Sequence, residues 1–126
     1  MRKNRLKYVY VLTALALLAI QVILAAEEPA EFKNETVKIQ EIIKNESAFD
    51  GKYVVIEGKI SSECGSGCWF IVDDGTAQLY VDILPNNFVI PQRMGANVKV
   101  YGQITTRDND PLMVGKIVKI YGDIYR

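Results

Sequence analysis

The sequence predicts an all-β domain, a five-stranded Greek-key barrel with a short N-terminal helix, preceded by a membrane-directed helix at the N-terminus. Two observations predict this fold class. Five runs of alternating apolar residues follow residue 50, with almost no helical periodicity between them. A basic cluster and a long uncharged run occupy the first 26 residues. The chain of 126 residues therefore has room for one small domain besides its N-terminal segment.

The N-terminal segment has the pattern of a membrane-directed helix. Nineteen consecutive uncharged residues run from Tyr8 to Ala26, after four basic side chains. As a helix this run would span about 28 Å, close to the hydrocarbon thickness of a bilayer. Residues 1–26 are therefore expected to be either a cleaved signal peptide or an anchor that crosses the membrane through residues 8–26. Because basic flanks stay in the cytoplasm, everything after Ala26 would be extracytoplasmic, secreted or membrane-anchored, with the N-terminus cytoplasmic if the segment is uncut.

The rest of the chain divides into a linker and one domain. Residues 27–35 are acidic and turn-prone, which is typical of a solvated linker. Residues 36–126 form the domain, and alternation of apolar residues with turn residues at the boundaries predicts its strands. The five predicted strands are Tyr53–Ser62, Trp69–Asp73, Thr76–Ile83, Asn97–Thr105 and Leu112–Tyr121.

Two local signals place the helix and the first hairpin. Thr36 is expected to cap a short helix that ends near Asn45 and closes one end of the barrel with its apolar face. That face carries Ile39, Ile42 and Ile43. The dipeptide Asp74-Gly75 lies between two alternating runs, and Asp-Gly favours the positive φ angles of a type I′ turn. The second and third strands are therefore predicted to form a tight hairpin.

The connection after the third strand identifies the type of barrel. Residues 84–95 contain two prolines and end in a glycine, so they are too broken for a long helix. Five strands with such a connection between the third and fourth follow the plan of the OB-fold. Residues 72–81 (VDDGTAQLYV) and 95–104 (GANVKVYGQI) resemble OB domains of the nucleic-acid-binding, anticodon-binding type. The chain is also similar to small exported OB-fold proteins of uncharacterised role with a Gly-Cys-Trp motif, here at residues 67–69.

Both cysteines of the chain lie in the loop between the first two strands. Cys64 and Cys68 are separated by Gly-Ser-Gly. Outside the cytoplasm this spacing favours a disulfide that closes the loop. No metal site is predicted, because two thiolates without histidine fall short of the four ligands that structural zinc takes. Cuprous ion is a weaker alternative at the same two cysteines, with Met94 or Met113 as a further soft ligand, and a thiol-redox role is another.

Strand alternation predicts a ligand face on the outside of the second and third strands. If Phe70, Val72, Leu79 and Val81 face the core, then Trp69, Gln78 and Tyr80 face outward. OB domains bind oligonucleotides and oligosaccharides on this face. The predicted ligand-binding residues are Trp69, Tyr80, Gln78, Tyr101 and Lys59. The alternative is that these rings only cover a small hydrophobic barrel.

Composition restricts the function further. The chain has no histidine, and no nucleophile, base and orienting group appear at a recognisable spacing, so no catalytic residues, enzyme activity or cofactor are predicted. After Ala26 there are 11 basic and 15 acidic residues, which disfavours binding through phosphates. The sequence thus predicts an exported or membrane-tethered OB-fold binding module of unknown ligand, with an oligonucleotide, an oligosaccharide or a protein as candidate partners. The alternatives are single-stranded nucleic-acid binding and a copper or thiol-redox accessory role for the two cysteines.

Overall fold

The computed structural model describes residues 2–23 and 27–126, with side chains described for residues 4–17 and 27–126. Its helices are α1 (Arg2–Ile23), α2 (Ile39–Lys44) and α3 (Glu46–Phe49), with 3₁₀ turns at Ala30–Lys33 and Leu84–Asn86. Its strands are β1 (Tyr53–Glu63), β2 (Trp69–Asp73), β3 (Gln78–Asp82), β4 (Asn97–Arg107), β5 (Asp110–Ile120) and β6 (Asp123–Tyr125).

The strands form one closed sheet. The hydrogen-bonded order is β3-β2-β1-β4-β5-β6, and all neighbours in that order are antiparallel. A short parallel pairing of β3 with β5, Val81 with Met113 and Asp82 with Val114, joins the two halves of the sheet. The predicted barrel is therefore confirmed, with the short β6 as an addition to the five predicted strands.

The core lies inside this barrel. Phe70, Val72, Leu79 and Val81 are at most 2% exposed, which confirms the predicted inward face of β2 and β3. Met113 also lies in the core at 0% exposure. Met113 is therefore enclosed in the core, whereas Cys64 and Cys68 are partly exposed.

Two-residue turns occur at other positions than the predicted one. In the loop between β2 and β3 only Gly75 of the pair Asp74-Gly75 has a positive φ, at +85°, and four residues separate the paired Asp73 and Gln78. The predicted type I′ turn is therefore wrong there. Positive φ at both central residues, the mark of that turn, occurs at Asp108-Asn109 and at Tyr121-Gly122. The second of these turns produces β6.

The helix α2 closes one end of the barrel as predicted, but it begins at a different residue. Ile39 and Ile42 are fully buried in the core, whereas Ile43 is 38% exposed. Thr36 pairs with Val55 in an isolated parallel bridge and does not cap the helix. The first turn of α2 instead donates backbone N–H groups to the β2–β3 loop, from Ile39 to Asp74 Oδ2 at 2.8 Å and from Gln40 to Thr76 Oγ1 at 3.2 Å.

The segment 27–35 differs from the solvated linker that its composition predicts. Phe32 is only 2% exposed and packs with Val55 and Ile117 on the outside of the barrel. Lys99 Nζ donates a hydrogen bond to the Phe32 carbonyl at 3.1 Å, and Glu28 lies 2.9 Å from Lys119 Nζ. This segment therefore covers an apolar patch that the sheet would otherwise expose.

Residues 8–23 of the predicted membrane-directed run lie in α1, and residues 24–26 lie outside the described residues. Over the described ranges 2–23 and 27–126, no helix has both the length and the hydropathy required to cross a bilayer. The structure therefore gives no support to the predicted membrane helix.

Candidate ligand-binding site

Trp69 and Tyr80 form a stacked pair on the outer face of β2 and β3. Their ring centroids are 5.3 Å apart with 27° between the planes. Tyr80 pairs in register with Ile71, two residues after Trp69, so the two rings meet diagonally across the strands. Both side chains are half-buried. This aromatic pair lies at the place where OB domains hold their ligands.

An ion pair borders the aromatic pair. Asp82 is 8% exposed and accepts hydrogen bonds from Arg107 Nη2 at 3.0 Å and from the Leu84 backbone N–H at 3.1 Å. The hydrogen bond to Asp82 raises the pKa of Arg107. Burial, and then the charge of Asp82, raise the pKa of Tyr80. The Tyr80 hydroxyl is therefore protonated at neutral pH and available as a hydrogen-bond donor.

A pocket opens beside Tyr80 and Arg107. Its volume is about 410 Å³. Its remaining lining residues belong to the β4–β5 turn and the start of β5: Asp108, Asp110, Pro111 and Leu112. The carboxylates of Asp108 and Asp110 thus lie close to the Arg107–Asp82 ion pair. This side of the site therefore has a net negative charge.

The loop of residues 64–68, the cysteine loop, borders the other side of Trp69. Cys64 Sγ lies 3.1 Å from Ser66 Oγ, and the Ser66 hydroxyl donates to Cys68 Sγ at 3.7 Å. Both cysteines are free thiols in the structure and both are partly exposed. The disulfide between them stays a prediction. The loop brings both sulfurs to the same Ser66 hydroxyl group.

Hydrogen bonds from the Cys68 thiol, then from Ser66, and then from the backbone of both residues lower the pKa of Cys64 to about 6. Each of these donors stabilises the thiolate more than the thiol. Cys64 is therefore mostly ionised at neutral pH. Ser66 was not predicted as a functional residue, although its position midway between the cysteines is visible in the sequence.

Of the other predicted ligand-binding residues, Tyr101 and Lys59 lie elsewhere, whereas Gln78 lies two residues before Tyr80 on β3. Tyr101 stacks on Tyr53, with the ring centroids 5.5 Å apart. Tyr53 begins β1, and the cysteine loop follows the other end of that strand ten residues later, about 33 Å away along an extended strand. Lys59 pairs in register with Asp73 and lines a separate groove of about 630 Å³. Gln78 Nε2 donates to Asp73 Oδ2 at 3.2 Å. The structure thus brings Trp69, Tyr80, Cys64 and Cys68 together, and places Tyr101 and Lys59 apart from them.

Among the residues that the structure describes, no three or more cysteine and acidic side chains gather in a way that would hold a metal ion. Met94, the alternative soft ligand for cuprous ion, is 62% exposed.

Comparison with known proteins decides the fold. No family model and no curated protein matches this chain. Among solved structures, the hypothetical protein ygiW from E. coli is 17% identical with a TM-score of 0.50, over 70% of this chain and 91% of ygiW. Asparaginyl-tRNA synthetase from Pyrococcus horikoshii, complexed with asparaginyl-adenylate, is 16% identical with a TM-score of 0.58, over 69% of this chain. The match spans 22% of that enzyme.

The fold is an OB-fold. The strand order, the closing β3–β5 pairing and both structural neighbours are consistent with it. At identities of 16–17% these likenesses concern the fold alone. The predicted OB-fold is confirmed, whereas the anticodon-binding type and the resemblance based on the Gly-Cys-Trp motif stay predictions.

Proposed function

We propose that this chain is an OB-fold binding module that holds a neutral oligosaccharide on the Trp69–Tyr80 pair. The observation that carries this proposal is the stacked pair itself, which lies between the cysteine loop and the β4–β5 turn. Strands two and three and these two loops are the ligand-binding surface of OB domains. Aromatic rings there offer flat apolar area at little conformational cost.

Charge distinguishes between the two ligand classes that OB domains commonly bind. Asp108 and Asp110 line the adjacent pocket, and Arg107 is already engaged by Asp82. A polyanion bound here would meet carboxylates and would lack the cations that phosphate binding requires. Sugar hydroxyls, by contrast, donate hydrogen bonds to carboxylates, and the C–H face of a sugar ring packs on aromatic rings. This favours an uncharged sugar chain over an oligonucleotide.

The single tryptophan of the chain makes the site directly observable. Because Trp69 belongs to the aromatic pair, its fluorescence reports the surroundings of this pair. We expect neutral β-linked hexasaccharides of glucose and of N-acetylglucosamine to change Trp69 fluorescence saturably. Tyr80→Ala should weaken this binding about tenfold or more, since one aromatic contact contributes on the order of 1–3 kcal/mol.

Tyr53→Ala is the matched control. Tyr53 is also one half of a stacked pair, and its side chain is 51% exposed, but it lies far from Trp69. Its removal should leave the affinity unchanged. If Tyr53→Ala weakens binding as much as Tyr80→Ala, the ligand does not lie on the Trp69–Tyr80 pair.

Single-stranded nucleic acid is the alternative tested in the same titration. Stacked rings on this face are also how OB domains hold bases without reading their sequence. A twelve-residue oligothymidine should leave Trp69 fluorescence unchanged at low salt. Tight binding that weakens steeply with added salt would establish the nucleic-acid alternative. Absence of binding by every probe would overturn both assignments.

We propose also that the domain acts outside the cytoplasm. The support is the sequence: a basic cluster and then an uncharged run precede a domain that contains two closely spaced cysteines. A fusion of alkaline phosphatase after Arg126, expressed in a bacterial host, should be active with the whole chain and inactive when residues 1–26 are deleted. Equal activity of the two fusions would contradict export through this segment.

A further inference from the structure

The cysteine loop gathers two sulfurs that the proposed ligand site does not use. Ser66 Oγ lies 3.1 Å from Cys64 Sγ and 3.7 Å from Cys68 Sγ. Both cysteines are partly exposed at the barrel surface, so reagents in solution reach them. A pair of thiols that a chain turn holds together, outside the core, has the arrangement required to form and break one intramolecular disulfide.

The backbone imposes this convergence. The Cys64 N–H donates to the Trp69 carbonyl at 2.9 Å, and the Gly67 N–H donates to the Cys64 carbonyl at 3.0 Å. From outside the loop, the Ile90 N–H donates to the Gly67 carbonyl at 3.1 Å and Gln92 Nε2 donates to the Gly65 carbonyl at 2.6 Å. The two sulfurs are therefore held near one another while both are still thiols, which lowers the entropy cost of joining them.

We propose that Cys64 and Cys68 form an exchange dithiol that reduces small-molecule disulfides, with Cys64 as the attacking sulfur and Cys68 as the resolving sulfur. This activity is separate from the oligosaccharide binding proposed above. It uses the loop beside the aromatic pair and requires no ligand on the pair.

The roles of the two cysteines follow from their surroundings. Ser66 Oγ lies closer to Cys64 Sγ, at 3.1 Å, than to Cys68 Sγ, at 3.7 Å, so its single proton can turn to an ionised Cys64. Hydrogen bonds from the Cys68 thiol and from Ser66 thus favour the Cys64 thiolate, which is the nucleophile in exchange. Glu63, the last residue of β1, directly precedes Cys64, and its carboxylate accepts from the backbone N–H groups of Arg93 and Met94. The pKa of Tyr80 is raised first by burial, then by the charge of Asp82, and to a smaller degree by the two sulfurs, and Arg107 lies beside the same ring.

The reaction has two steps. Cys64 Sγ attacks one sulfur of a disulfide, forms a mixed disulfide and expels the other sulfur as a thiolate. Cys68 then loses its proton and attacks Cys64 Sγ, which forms the Cys64–Cys68 bond and expels the second thiolate. Two electrons pass from the protein dithiol to the substrate disulfide, and the two protons end on the two released thiols.

Oxidised glutathione tests this proposal on the full chain, by mass spectrometry and thiol counting under denaturing conditions. The wild type should lose both thiols and gain one internal disulfide, with no glutathione retained. Cys68→Ser should stop at a stable adduct that carries one glutathione. Cys64→Ser should react much more slowly near pH 7, because it removes the sulfur that lies nearer to the Ser66 hydroxyl, at 3.1 Å against 3.7 Å for Cys68 Sγ.

A pH profile separates a nucleophile from an ordinary exposed thiol. Alkylation of Cys64 in the wild type should be half-maximal near pH 6, and Ser66→Ala should move this midpoint upward. Two independent glutathione adducts with no internal bridge, or a bridge that survives excess reduced glutathione, would overturn the proposal. The second of these results would identify a permanent structural disulfide.

Discussion

Replacing Gly67 with alanine is expected to lower the free energy of unfolding by about 3 kcal/mol. Gly67 has a φ of +73°, which L-residues other than glycine adopt at a cost of roughly 1–2 kcal/mol. A Cβ at this position would in addition overlap the carbonyl oxygen of Ile90. Because that oxygen belongs to the backbone, the segment around Ile90 would have to move. Chemical denaturation monitored by circular dichroism measures the loss.

Gly75→Ala is the matched control for this prediction. Gly75 has a similar φ of +85°, but a Cβ there would meet no atom within 4 Å. Its replacement should therefore lower the free energy of unfolding only through the strain of the positive φ, by about 1 kcal/mol. Equal losses for Gly67→Ala and Gly75→Ala would show that the contact between the cysteine loop and Ile90 contributes nothing beyond the φ angle.

Replacing Asp74 with alanine is expected to lower the free energy of unfolding by about 2–3 kcal/mol. Its Oδ1 accepts from the Thr76 and Ala77 backbone N–H groups at 2.8 and 3.1 Å and from the Thr76 hydroxyl at 2.6 Å. Its Oδ2 accepts from the Ile39 N–H at the start of α2, at 2.8 Å. The substitution would thus loosen the β2–β3 loop and leave the first turn of α2 without its cap. Urea denaturation of the variant tests this.

Asp74→Asn separates the two groups of hydrogen bonds. Its amide oxygen can replace Oδ1, but its amide nitrogen cannot accept from Ile39, so the loss should be about half that of Asp74→Ala. A loss for Asp74→Asn as large as that for Asp74→Ala would show that the carboxylate charge, and not the loop geometry, provides the stabilisation.

The same carboxylate predicts a dependence of stability on pH. Burial by itself raises the pKa of Asp74, but the hydrogen bonds from Thr76, Ile39 and Ala77 outweigh it and hold the pKa below its ordinary value. Its contribution is therefore fully present above the unfolded pKa, about 3.9, and is lost as the pH falls through the folded pKa. Between pH 5 and pH 2 the wild type should lose more stability than Asp74→Asn. A parallel decline of the two proteins would contradict the assignment.

These two positions stabilise opposite ends of the barrel. Gly67 belongs to the loop before β2, whereas Asp74 belongs to the loop after β2 and receives α2. Gly67→Ala should therefore also disturb the thiols and Trp69, while Asp74→Ala should reduce stability and leave ligand binding unchanged at temperatures where the domain stays folded. The candidate site thus depends on how residues 84–96 pack beneath the cysteine loop.

Local patterns were sufficient for the strands and for the inward face of the barrel. Alternation of apolar residues predicted β2 to the residue and placed Phe70 and Leu79 inside, because one face of each strand must avoid water. Turn type was harder to predict. Asp74-Gly75 has the commonest sequence for a tight turn. The Asp74 carboxylate, however, accepts a hydrogen bond from the Ile39 N–H of α2, which lies 35 residues earlier in the chain.

The sequence by itself determined an all-β barrel, the adjacency of the two cysteines and the outward direction of Trp69 and Tyr80, because all three depend on strand period and short loops. Only the tertiary structure decided which of the candidate side chains share one surface. The parallel β3–β5 pairing brings Arg107 to Asp82, and the long span of β1 separates Tyr53 and Tyr101 from Trp69. Both outcomes depend on how the sheet closes. Closure brings together residues that are far apart in the chain, so the local alternation of apolar residues does not predict their contacts.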